Sequence, residues 1–315
     1  MRNFLAFSLF LFAALGGEEN LVIIGGGPAG LSAGIYAGRL ELHPLIIEEV
    51  NPWNSLSFRV ENYPGFPEGI YRFELLDNFR KQALNSGARV TFSKVIGVKL
   101  DKRPFEVELE SGEVLLTKAL IVACGTRPSL LGLESEHLLW GKGVCACAFC
   151  DGPFFEGKCV AVLGGDDKAL QEACLLSQWA SNVVVIGCMQ ASCKLLEQAY
   201  QRGNIHFIEN VKVADICGIS QDRVTGVLLE DATFVPCEGV FLALGRLPNT
   251  SLFSGKLDLD EKGYIKVESG STITSCPGVF AAGDCADPRY SQIAFSTAAG
   301  CQAALQTYEY LLKKE

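Results

Sequence analysis

The sequence predicts an α/β fold of two three-layer domains, each built on a doubly wound parallel sheet. Two observations predict it. A short apolar strand, a glycine-bearing loop, a helix-like stretch and a second apolar strand follow one another twice, once from Leu21 and once from Cys159. Each unit then runs into strand-like texture, Arg89 to Val122 in the first half and Glu209 to Pro236 in the second. Strands alternating with helices make parallel sheets covered on both faces. A length of 315 residues suits two such domains.

Composition removes several classes. Hydrophobic residues are 49% and charged residues 20%, which is globular and not disordered composition. A formal net charge of −9 argues against nucleic acid as a partner, because that footprint is basic. The 13 cysteines are odd in number and sparse for this length, so the chain is not a disulfide-stapled miniprotein. With only 3 histidines, a zinc-rich design is not expected.

The elements read in order as follows. Arg2 precedes an apolar run, Phe4 to Leu15, that is too short for a membrane span of about 20 residues. Its layout, closing on Gly16-Gly17, matches either a secretory signal or an extra N-terminal segment, 1–17. Leu21-Val-Ile-Ile24 then leads into Gly25-Gly26-Gly27-Pro28-Ala29-Gly30, a helical stretch from Leu31 to Arg39, and Leu45-Ile46-Ile47 ending in Glu48-Glu49. In a dinucleotide-binding (Rossmann-like) unit Gly25 allows the tight turn and Gly27 lets backbone approach a pyrophosphate. Gly30 lets helix and strand pack closely. The helix N–H groups and dipole then face the phosphates. Glu48, 23 residues after Gly25, is placed to bond a ribose.

Next comes Cys147-Ala148-Phe149-Cys150-Asp151-Gly152. Two cysteines at this spacing suit thiol–disulfide exchange, with one thiol pKa lowered. The rival reading is a metal site using Cys145, Cys147 and Cys150. It lacks a fourth ligand, since His43, His137 and His206 are scattered and no second Cys-x-x-Cys exists. No metal is therefore expected. Asp151 reads equally as a proton relay or as a turn residue before Gly152. The other cysteines read as small packing residues.

The second unit runs from Cys159-Val-Ala-Val-Leu163 into Gly164-Gly165-Asp166-Asp167-Lys168-Ala169, a helix to about Trp179, and Val183 to Ile186. Far along the chain, Gly278-Val-Phe-Ala-Ala-Gly283-Asp284 is a small-residue strand ending in Gly-Asp. Its Asp284 can accept hydrogen bonds from ribityl hydroxyls. The final helix, Phe295 to Lys313, would favour negative charge on a flavin ring. Paired with the first loop, this points to FAD rather than NAD.

These motifs, together with Glu61-Asn62-Tyr63-Pro64-Gly65-Phe66-Pro67, resemble the low-molecular-weight thioredoxin reductase family from about Asn20 onward. The resemblance implies an FAD domain made of both chain ends, 18–126 plus 246–315. Inserted in it would be an NAD(P)H-type domain, 127–245, that carries the cysteine pair. The hinges would be Gly125 to Pro128 and Gly245 to Pro248. Implied FAD contacts are Gly25, Gly27, Pro28, Ala29, Gly30, Glu48, Asn62, Val95, Gly283, Asp284, Ser291, Gln292 and Ile293. The family usually has Arg-Gln-Ala in the last three places, so only Gln292 matches fully. The family's Gly-Gly-Gln flavin loop is absent, and Asn51 to Arg59 reads as shortened. The implied mechanism passes electrons from flavin to Cys147/Cys150. Cys150 lies beside the flavin, Cys147 attacks the disulfide of a thioredoxin or thioredoxin-like protein, and Asp151 moves protons. Rotation of the inserted domain presents the pair to each in turn. The family also implies a homodimer. A chain that loads a dinucleotide flavin usually folds before export, and no twin-Arg is present, so a cytoplasmic protein is expected.

The second loop departs from the family's Gly-x-Gly-x-x-Ala. Asp166 stands where backbone should touch pyrophosphate, and Gly187-Cys-Met-Gln-Ala-Ser-Cys193 lacks the arginines that clamp a 2′-phosphate. NADPH is therefore in question as electron donor, with ferredoxin as another candidate. Three functions stand: a disulfide reductase with its donor open, a flavin dithiol oxidase using oxygen, and a non-catalytic FAD-bound redox-sensing module.

Overall fold

The structure, a computed structural model, describes residues 17–50 and 59–313. The N-terminal apolar run and the shortened stretch Asn51 to Phe58 lie outside the described residues.

The first sheet has seven strands. Arg89–Phe92, Leu45–Glu48, Glu19–Ile24 and Val114–Val122 lie side by side in parallel. The long strand Val114–Val122 changes partner along its length. Its first half pairs antiparallel with Phe105–Leu109, and its second half pairs parallel with Val279–Ala281. Val95–Lys99 closes the edge. Alternation sets which face each side chain joins. Leu21 and Ile23 enter the layer beside the helices with Leu31, Ile46 and Phe280. Val22 and Ile24 enter the opposite layer with Ile47, Leu120 and Phe105.

Helices Pro28–Arg39 and Ile293–Leu312 pack closely against each other. A Cβ at Gly300 would collide with the backbone of Ala29, and Ser32 Oγ donates to the Thr297 carbonyl at 2.8 Å. The final helix thereby brings its own start, Ile293, beside the first glycine loop.

The second sheet has five parallel strands, in the order Val144–Cys145, Gly239–Leu242, Cys159–Leu163, Asn182–Gly187 and Ile205–Glu209. Helices Asp167–Leu176 and Cys193–Tyr200 pack on it, and a three-stranded antiparallel sheet from Val213 to Pro236 covers the other face. The α/β class and the two parallel sheets follow the sequence pattern. Helix ends differ by a few residues. The first helix already begins at Pro28, because proline is pre-set for a first helical position. The helix of the second unit stops at Leu176, where single-turn bonds at Gln178 and Trp179 tighten the chain.

The chain crosses between the two sheets twice, and the crossings pair with each other. Thr126–Pro128 and Arg246–Pro248 form an antiparallel two-stranded ribbon. Ser129 N–H donates to the Gly245 carbonyl and Asn249 N–H to the Gly125 carbonyl, both at 3.0 Å. No helix among the described residues is long and apolar enough to cross a membrane.

Candidate active site

A cleft of about 1090 Å³ runs between the two sheets, on the large side for a small-molecule site. Its wall gathers Gly25, Gly27, Pro28, Ala29, Asn62, Val95, Cys147, Cys150, Asp151, Asp284, Ser291, Gln292 and Ile293. Residues far apart in the chain thus meet because three strand ends of the first sheet and the start of the final helix converge there.

The glycine loop has the shape a dinucleotide needs. Gly25 sits at φ +119°, and Gly27 caps helix Pro28–Arg39 without a side-chain bond to its free N–H groups. A Cβ on Gly27 would meet nothing within 4 Å, so the open space in front of it belongs to the cleft. A Cβ on Gly30 would strike the Gly25 carbonyl, which makes Gly30 a packing residue. The loop therefore fits a phosphate-bearing cofactor at a helix start.

Three other expected residues are not in the cleft wall. Gly30 and Gly283 pack behind it, and Glu48 is buried with both carboxylate oxygens accepting from Arg80, at 2.7 and 3.0 Å. Gly26 is a glycine for this reason, since a Cβ there would overlap the Glu48 side chain. Glu48 thus anchors the strand end through a bidentate ion pair.

Cys147 and Cys150 form a disulfide, with Cα atoms 5.3 Å apart. Cys147 caps the short helix Ala148–Asp151, and the Cys150 N–H donates to its sulfur at 3.1 Å. From the opposite wall, Gln292 Nε2 reaches Cys150 Sγ at 3.8 Å and Cys147 Sγ at 4.0 Å. Its other end, Oε1, accepts from Asn62 Nδ2 at 3.2 Å. An amide relay therefore ties the first sheet's cleft wall to the sulfurs.

Burial pushes the Asp151 carboxyl up to about 6, against a lowering hydrogen bond from the Cys145 thiol. Burial also holds the Cys145 thiol well above its usual range. Cys145 thus bonds the acid rather than joining the two redox sulfurs. Asp284 accepts from Ser296 Oγ at 2.9 Å and lies 3.8 Å from an Arg246 guanidinium nitrogen. Burial raises its carboxyl, with Arg246, Ser296 and Arg72 opposing.

Sequence reasoning missed Arg72 and Arg246, both in the cleft wall, and Glu172 behind the disulfide. Arg246 was visible as the charged member of the Gly245 to Pro248 crossing. Arg72 and Glu172 sit in ordinary helical pattern and carry no local signal.

The second loop keeps the backbone of the first but is filled. Asp166 caps helix Asp167–Leu176, its Oδ1 accepting the Ala169 N–H at 2.9 Å. The stretch after strand Asn182–Gly187 folds back onto the loop. Gln190 N–H donates to the Gly165 carbonyl at 2.7 Å and Ser192 N–H to Asp167 Oδ1 at 2.6 Å.

Comparison with known proteins agrees with this geometry. Residues 19–303 match the family model of pyridine nucleotide-disulphide oxidoreductases. The thioredoxin reductase of Streptomyces coelicolor is 39% identical over 302 residues, covering 93% of this chain and 94% of that one. The solved thioredoxin reductase of Giardia duodenalis superposes with a TM-score of 0.85 at 33% identity, over 93% of this chain and 98% of its own. That of Lactococcus lactis, in a conformation termed FR, gives 0.65 at 27% identity over 94% of this chain and 100% of its own. The chain belongs to the pyridine nucleotide-disulphide oxidoreductases, and within them it is an oxidoreductase of the thioredoxin reductase type.

Proposed function

We propose that the chain binds FAD in the large cleft and uses the Cys147–Cys150 pair to reduce the disulfide of thioredoxin or a thioredoxin-like protein. The observation that carries this reading is that the disulfide sits in the wall of the same cleft as the glycine loop, within reach of Gln292. FAD, when bound, supplies a two-electron carrier beside the sulfurs.

The chain's own residues do the rest. Gly25 to Ala29 would hold the pyrophosphate against uncapped helix N–H groups. Asp284 and Asn62 would bind the hydroxyl and ring ends. Cys150 takes the position beside the flavin, and Cys147 attacks the partner disulfide. Asp151, an acid that exchanges its proton near neutrality, supplies and takes the protons of that exchange. Cys145 keeps its carboxyl oriented.

The pair in its cleft-facing position cannot meet a partner protein at the same time. We assign the presentation step to rotation of residues 127–245 about the paired hinge strands, with 18–126 plus 246–315 as the flavin-binding body. The FR conformer of the Lactococcus lactis enzyme covers the chain as fully as the Giardia enzyme does, yet superposes less well, 0.65 against 0.85. A change of lobe orientation accounts for that gap.

The electron donor follows from the second loop. Asp166 occupies the donor that a pyrophosphate would need, and its charge would face another. We infer that this loop disfavours NADPH as donor, and the candidate to replace it is an iron–sulfur protein of the ferredoxin class, two one-electron deliveries being needed for each disulfide. A homodimer in the cytoplasm completes the proposal.

The test is an anaerobic titration with NADPH, NADH and reduced ferredoxin in parallel, followed by flavin absorbance. Bleaching by ferredoxin, with transfer to thioredoxin, is the expected result. Rapid bleaching by NADPH would overturn the donor assignment, and a colourless protein would overturn the cofactor.

A further inference from the structure

Behind the disulfide lies a carboxyl group that the reaction outlined above does not use. Glu172, on helix Asp167–Leu176, accepts the N–H of Ala148, the residue directly after Cys147. Its Oε2 is buried and finds no hydrogen-bond partner among the described residues. The helix packs tightly against the redox segment, for a Cβ on Gly152 would crowd Leu176 and Trp179. The other charges facing Glu172 are Lys168 and Asp166 near the start of its own helix and Arg246 from the hinge ribbon. On the neighbouring helix, Lys194 and Glu197 are exposed. Asp151, the second acid of the redox segment, is engaged by Cys145.

A buried carboxylate and a half-buried thiolate one residue beyond its contact disfavour each other, because like charges at close range raise each other's proton affinity. Burial has already brought the Glu172 carboxyl up to about 7 with the disulfide intact. A new anion at Cys147 or Cys150 pushes it further the same way.

We propose that Glu172 is a positioning residue that takes up one proton when the Cys147–Cys150 disulfide is reduced. The inference rests on the redox role proposed for that pair. In the step, two electrons break the Sγ–Sγ bond, one sulfur becomes a thiol with one proton and the other remains a thiolate. A second proton goes to Glu172. Reoxidation by a partner disulfide returns both protons and both electrons. Glu172 thereby lets a reactive thiolate persist without leaving a second anion close behind it.

The test equilibrates the FAD-loaded protein with dithiothreitol buffers between about pH 6 and about pH 8, and counts reduced pairs by alkylation and mass. The reference is the same measurement on Glu172→Gln. Dithiothreitol gives up two protons as it is oxidised, so a parent that takes up two keeps a reduction constant nearly flat with pH, while that of the variant rises by up to about tenfold per pH unit. Equal pH slopes, with flavin content and circular dichroism preserved, would overturn the proposal. A pair that no dithiol reduces would instead sink the redox role itself, which keeps the two failures apart. Where Glu172→Gln does not fold, reduced-minus-oxidised infrared spectra decide between the outcomes in Asp151→Asn. A carboxylic acid C=O band that grows on reduction supports the assignment, and its absence overturns it.

Discussion

The loops at Gly25–Gly30 and Gly164–Ala169 share a backbone and differ in what stands at their mouths. The leading glycine lies at φ +119° in one and +145° in the other. The capping residue has φ −82° and ψ −174° in the first loop, −88° and 178° in the second. Gly25 and Gly164 donate to equivalent carbonyls, those of Ile47 at 2.9 Å and Ile186 at 3.0 Å. Extended backbone at the capping position is open to any residue, so aspartate enters there without distorting the fold. What changes is chemistry. Gly27 leaves helix N–H groups free for an anion from outside, while Asp166 supplies the anion from within. The second unit thus keeps the backbone of the first while its helix start is already capped from within.

The comparison can be broken outright by exchanging the loops' defining residues. Gly27→Asp should place a carboxylate against the cofactor's phosphates, a clash worth about 4 kcal/mol, or about a thousandfold in flavin affinity. The ratio of flavin to protein absorbance after purification reads it, and a fully yellow variant would refute the loop assignment. The strand ends differ as well, since only the first unit buries an acid there. Arg80→Ala should strand the Glu48 carboxylate and cost about 3 kcal/mol of stability. Chemical denaturation measures that loss.

Two raised carboxyls lie on the side of the second loop, Asp151 at about 6 and Glu172 at about 7. Both stand above the ordinary carboxylate range, so the folded chain binds more protons than the unfolded one between that range and neutrality. The share of stability that these two groups contribute should then be fullest at acid pH and fall as pH rises through about 4 to about 7. Glu172→Gln removes its share of the fall and should gain up to about 3 kcal/mol over the parent at alkaline pH. Denaturation midpoints at several pH values check the sign, and a parent that gains stability on that rise would contradict it. The smallest effect is expected from Asp166→Gly, which empties the second loop but restores no arginine. NADPH-driven flavin reduction should rise about tenfold, while loss of the cap costs only a few tenths of a kcal/mol. Stopped-flow bleaching measures the gain.

Much of this was legible because it is written in spacing. Two glycine loops after apolar strands, Cys147 and Cys150, and the Gly283-Asp284 ending fix the α/β class and gather most of the cleft wall. The two crossings between the sheets were readable as Gly-x-x-Pro repeats, though not that they pair. What spacing could not carry is who meets whom. Glu48 reads as a ribose acid, and its spacing carries no sign that Arg80, on a distant helix, also pairs with both its oxygens. Cys145, set aside in the sequence as a third metal sulfur, bonds the Asp151 carboxyl, a contact that its spacing does not announce. Glu172 is one acid among many until burial and the Ala148 N–H single it out. Each of these depends on a long-range contact and a desolvated environment, neither of which leaves a local pattern.

The ribbon of Thr126–Pro128 and Arg246–Pro248 has one more implication. Everything between those strands departs from and returns to a single spot, like a drawer on one rail. Excising that segment, joining its ends by a short turn, or splicing a foreign lobe in its place would require no thread to pass through the body that carries the first sheet.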